Sequence, residues 1–137
     1  MELENLIRDL VRVPRMLVVV GGEGCVGEMY CDSKSEAKFH GGWGMVESGS
    51  WHFHLKLDSV ESAQFVEAED HGAPLLYYVR FAGADGQTLL RCYFPNPFTD
   101  EHDKPVDFQP EKLKAFESIR DRYVGQKGIT FVHRPKS

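Results

Sequence analysis

Residues 75–94, LLYYVRFAGADGQTLLRCYF, decide the fold. Leu75–Phe81 is dense in aromatic and branched residues, and Gln87–Phe94 resumes that character after Gly83-Ala84-Asp85-Gly86. Asp-Gly between two such runs signals a hairpin, because the tight turn needs residues that tolerate positive φ. Two antiparallel strands are therefore predicted. Upstream, Ser50–Leu57 alternates Trp51, Phe53, Leu55 and Leu57 with His52, His54 and Lys56, the period of a strand with one buried face. Met16–Val20 reads as a strand, Gly21–Gly24 as a tight turn and Cys25–Cys31 as the returning strand. Ser62–Ala68 adds a strand and Trp43–Glu47 a short one, while residues 32–42, DSKSEAKFHGG, read as a polar loop.

Helices are expected at both ends. Over residues 2–12, Leu3, Leu6, Ile7 and Leu10 share one stripe, and Val13-Pro14 ends it. Pro95–Pro110 holds four prolines and reads as a loop. Pro110–Val124 predicts a helix with Leu113, Phe116, Ile119 and Tyr123 near one face, and Ile129–Val132 a short final strand. Consecutive strands through tight turns, with a helix at each end, give an α+β class. The expectation is a large antiparallel β-sheet with N- and C-terminal flanking helices, in a single domain over residues 1–137.

Composition agrees. With 42% apolar and 27% charged residues, the chain has enough apolar surface for a core and is not disordered as a whole. The apolar run Met16–Val20 falls far short of the ~20 residues a membrane helix needs. The opening MELENLIRDLVRVP lacks the apolar stretch of a secretory signal. A net charge of −5 argues against a phosphate-driven nucleic-acid binder. Cys25, Cys31 and Cys92 form no C-x-x-C pair, so a reduced, cytoplasmic protein is expected.

Gly22-Glu23-Gly24-Cys25-Val26-Gly27 spells G-x-G-x-x-G after an apolar strand. A dinucleotide site would need those glycines to open a helix, and no helical stripe follows, so hairpin glycines are the better reading. His52 and His54 share one strand face by the period-two rule. They suit a metal, but no carboxylate follows at metal-site spacing, and a wet sheet face explains them equally. If the apolar faces all point inward, the opposite face carries His52, His54, Lys56, Tyr78, Arg80, Arg91 and Tyr93. That set offers iron donors, cations for carboxylates and flat rings for stacking, the needs of a haem. It would serve a wet surface or a dimer interface as well. No catalytic set stands out.

The order of several features resembles a repeat of the bacterial haem-utilisation proteins of the HemS/ChuS type. These are Met16-Leu17-Val18-Val19-Val20-Gly21 with Gly24-Cys25-Val26, then Trp43 after a glycine pair, Phe53-His54-Leu55, and the Asp85-Gly86 turn. The resemblance covers residues 15–94 and the helix that follows. A single repeat is similar to the ChuX/HutX branch, which as a family forms dimers. The resemblance implies a HemS/ChuX-like fold, a homodimer and cytoplasmic haem handling, with haem as ligand and neither nucleic acid nor membrane as partner. In the tandem proteins the axial histidine precedes the second repeat's sheet, and residues 1–14 here contain none. The His-x-His-Leu of the ChuX-like branch is similar to His52-Phe53-His54-Leu55, so His54 or His52 is the expected metal ligand. Lys56, Arg80 or Arg91 would meet the propionates, and Tyr78 or Tyr93 would pack at the macrocycle. Haem binding or trafficking without enzymatic turnover is the first expectation. The alternative is a non-enzymatic fold relative that has lost haem and binds a small molecule or protein. A haem-degrading or iron-reducing enzyme ranks third.

Overall fold

The structure, a computed structural model, describes residues 2–136. Helix α1 spans Leu3–Val11. The strands are β1 (Leu17–Gly21), β2 (Val26–Tyr30), β3 (Glu36–His40), β4 (Trp43–Glu47), β5 (His52–Lys56), β6 (Ser62–Glu69), β7 (Leu75–Ala82), β8 (Thr88–Tyr93) and β9 (Ile129–Arg134), with helix α2 (Pro110–Tyr123) before the last. Six strands form one sheet in the order β2-β1-β8-β7-β6-β9, and β3-β4-β5 form a second. The class is α+β, as expected. Two details differ. The strands divide between two sheets, and β9 pairs parallel with β6 because α2 intervenes and carries the chain back over the sheet.

β3 falls inside the segment expected as loop. It alternates, but only Ala37 and Phe39 turn inward, too little apolar signal to stand out in sequence. Phe39 sits under the Arg8 guanidinium of α1, 4.7 Å from the ring centroid. The G-x-G-x-x-G run lies in the β1–β2 hairpin. Gly21 has φ +95°, and a Cβ there would stand 2.5 Å from the Cys25 carbonyl oxygen. Strand β2, not a helix, follows it, so no helix N-terminus exists to hold a pyrophosphate.

One core holds the layers together. Leu6 and Leu10 of α1, Val46 of β4, Phe116 and Ile119 of α2, and Val18, Phe65, Val79, Phe81 and Cys92 of the large sheet are buried in one cluster. Phe116 is its hub, with ring centroids of Tyr77, Phe94 and Phe65 at 5.1, 5.2 and 5.9 Å. Both helices and the small sheet thus cover one face of the large sheet. Its other face carries a separate apolar cluster of Val66, Ala68 and Tyr78, flanked by Leu76, Tyr93 and Val132.

Candidate functional site

Strand alternation puts His52, His54 and Lys56 outward on β5, all exposed, while Phe53 and Leu55 turn toward the core. Their cross-strand neighbours on β4 are Glu47, Met45 and Trp43 respectively. The two imidazoles stand edge to face with centroids 5.5 Å apart. β5 is one of the two edge strands of the small sheet. Along that edge lies a cavity of about 420 Å³ at the seam with β1 and β8. His54, Lys56 and Ser59 line it together with Val20, Leu55 and Leu90.

The other four candidates lie elsewhere. Tyr78 and Arg80 on β7 pair with Tyr93 and Arg91 on β8, all on the uncovered face of the large sheet. The expected single polar face therefore does not form. Alternation assigns faces within a strand but cannot say that β5 belongs to a different sheet.

Arg80 is engaged by its own hairpin. It donates to Thr88 Oγ1 at 2.7 Å, to Gln64 Oε1 at 3.3 Å and to the Gly86 carbonyl. That locks the Asp85-Gly86 turn and leaves little of the guanidinium for a ligand. Arg91 is freer. Its Nη1 donates to the Tyr93 hydroxyl at 3.2 Å, while its Nε is buried with no partner. Tyr93 and Tyr78 lie with centroids 4.6 Å apart. Burial pushes the Tyr93 phenol up, against the downward pull of Arg91.

At one end of this face is a second cavity of about 480 Å³, lined by Tyr93, Leu76, Tyr30, Arg15 and, from the proline-rich segment, Asn96 and Gln109. Sequence reasoning missed it, since Arg15 and Tyr30 belong to no motif and meet that segment only in the fold. Among the described residues no three of His, Cys, Asp and Glu gather into a metal site. Among the described residues no helix is long and apolar enough to cross a membrane. His133 is held by Glu67 at 2.8 Å.

A protein-family model matches residues 4–123. No curated protein matches the chain. Solved structures do. A protein of Agrobacterium tumefaciens is similar over 89% of this chain with 21% identity and a TM-score of 0.64. A structure of ChuX is similar over 88% of the chain, with 13% identity and a TM-score of 0.68. A second, described as the haem-binding protein ChuX, is similar over 86%, also with 13% identity and a TM-score of 0.68. The chain spans 65% of the length of the Agrobacterium protein, and 71% and 70% of the two ChuX chains.

Proposed function

The chain belongs to the family whose model spans residues 4–123 and has a ChuX/HutX-like fold; from that premise we propose that it binds and carries haem, with His54 as the iron ligand. One observation carries the choice. Of the candidate donors, His54 lines an apolar-walled cavity of about 420 Å³ with a cation, Lys56, beside it. An imidazole supplies the axial nitrogen, Val20, Leu55 and Leu90 supply apolar contact for a macrocycle, and the Lys56 ammonium meets a propionate. His52 lies outside that cavity lining and serves as the neighbouring donor. The proposal includes no haem turnover.

The uncovered face of the six-stranded sheet is, in this reading, where a second copy docks. Leu76, Tyr93 and Val132, half-buried over Val66, Ala68 and Tyr78, form an apolar patch there, and a two-fold axis would set the patch on itself. Tyr93 and Arg91 then belong to the dimer face rather than to the iron site.

A haem titration by visible spectroscopy tests the ligand. We expect a saturable Soret shift at one haem per chain, lost in His54→Ala. An unchanged spectrum and affinity in that variant would overturn the assignment. A wild-type shift no larger than that of an unrelated protein of like charge would remove haem and leave a small-molecule or protein-binding module. For the dimer, Leu76→Glu should give a monomer by sedimentation velocity with unaltered circular dichroism.

A further inference from the structure

We propose that the outer face of the three-stranded sheet holds a Cu(I) site built from His52, His54 and Met45. Met45 lies directly opposite His54 in the β4–β5 register. Opposite residues on adjacent antiparallel strands have Cβ atoms about 4.5–5.5 Å apart, within reach of one ion. His52 joins from two positions along β5, its ring 5.5 Å from that of His54 and turned 87° to it. Two imidazoles and a thioether are thus three adjacent positions of one rigid sheet face.

The face is chemically free for this. Neither imidazole makes a hydrogen bond or ion pair among the described residues, whereas His133 does. The carboxylate opposite His52, Glu47, is paired with Lys38 Nζ at 2.9 Å. The donor set then selects the metal. Thioether sulfur with imidazole nitrogen suits the soft, monovalent copper ion, and a set without carboxylate disfavours Mg²⁺ and Ca²⁺. Zn²⁺ would want a fourth donor for a tetrahedral site, and no third His, Cys, Asp or Glu gathers here among the described residues. Binding moves no electrons; the ion enters and leaves as Cu(I).

This site goes beyond haem carriage and shares the His54 ligand and its neighbour His52 with it, so the two ligands compete for the His54 imidazole. The test is anaerobic titration of the whole chain with Cu(I) against a chromophoric chelator. Wild type should take one Cu(I) per chain. Met45→Leu and His52→Ala should each weaken it at least tenfold, and Met45→Leu should leave the haem titration unchanged. X-ray absorption at the copper edge should show one sulfur and two nitrogen neighbours. Equal Cu(I) affinity in wild type and Met45→Leu overturns the proposal, as does a copper shell without sulfur. Met45→Ile, which keeps a strand-favouring apolar residue, guards against a folding artefact. Loss of haem binding with intact Cu(I) binding would sink the haem reading alone, and the converse would sink this one alone.

Discussion

The carboxylate of Asp9 in α1 lies 2.6 Å from Nη1 of Arg122 in α2, joining two helices 113 positions apart in sequence. The same oxygen accepts the Tyr123 hydroxyl at 2.5 Å. Tyr123 is only 3% exposed. Burial, and after it the Asp9 carboxylate, pushes its phenol up to about 12. A single carboxylate therefore clamps both helices onto the same face of the sheet. That clamp sits apart from the seam that holds His54.

Asp9→Ala should destabilise the protein by removing the acceptor of a buried hydroxyl, at a cost of about 1–3 kcal/mol. Arg122 exposes about half of its side chain, so water and salt screen its share. Urea denaturation should place the midpoint of Asp9→Ala below that of Arg122→Ala. The reverse order would mean that the ion pair, not the hydroxyl, holds the helices.

Gly21→Ala should cost more than Gly24→Ala. Both glycines have positive φ, at +95° and +83°, a strain of about 1–3 kcal/mol for a side-chain-bearing residue. A Cβ at Gly21 also meets the Cys25 carbonyl at 2.5 Å, whereas at Gly24 it meets nothing within 4 Å. Thermal melts of the two variants check this. Equal losses would show that the hairpin opens freely around Gly21.

Those glycines were legible because turn chemistry is local. So were α1, whose Leu3, Leu6, Ile7 and Leu10 are all buried, and the β7–β8 hairpin around Asp85-Gly86. β3 was not, because Glu36, Lys38 and His40 outnumber its two inward residues and its place depends on pairing with β4. The division into two sheets was illegible for a related reason. Alternation along β5, β7 and β8 gives each strand a face, but pairing partners come from tertiary packing. Hence His54 and Lys56 were correctly placed on one face, and Arg91 and Tyr93 on another were wrongly added to it.

Native-state alkylation should label one cysteine. Cys25 is exposed, while Cys31 and Cys92 are buried. Burial raises both buried thiols, and it does so most strongly at Cys92, so each lacks access and thiolate character. Mass spectrometry after iodoacetamide should find a single adduct on Cys25 in folded protein and three adducts in denaturant. A second adduct in folded protein would mean that the β1–β8 region opens on the labelling timescale.

The parallel strand β9 should loosen as pH rises. His133 Nδ1 lies 2.8 Å from Glu67 Oε1 and its Nε2 lies 3.5 Å from Glu69 Oε2, both on β6. The Glu67 hydrogen bond is the largest influence on His133, and the imidazole is pulled up from its ordinary value. A group whose folded pKa is raised adds stability that is full below its unfolded value of about 6.5 and is lost as pH climbs through the folded value. The β6–β9 backbone ladder persists through that titration, so the strand is weakened rather than released. Amide protection factors across Ile129–Arg134, corrected for the intrinsic pH dependence of exchange, should fall as pH rises above the ordinary imidazole value of about 6.5. His133→Gln should flatten that profile, because a neutral amide can still donate to Glu67 but cannot titrate. If the variant shows the same fall as wild type, the pH dependence arises from another group and β9 is not held by this charge.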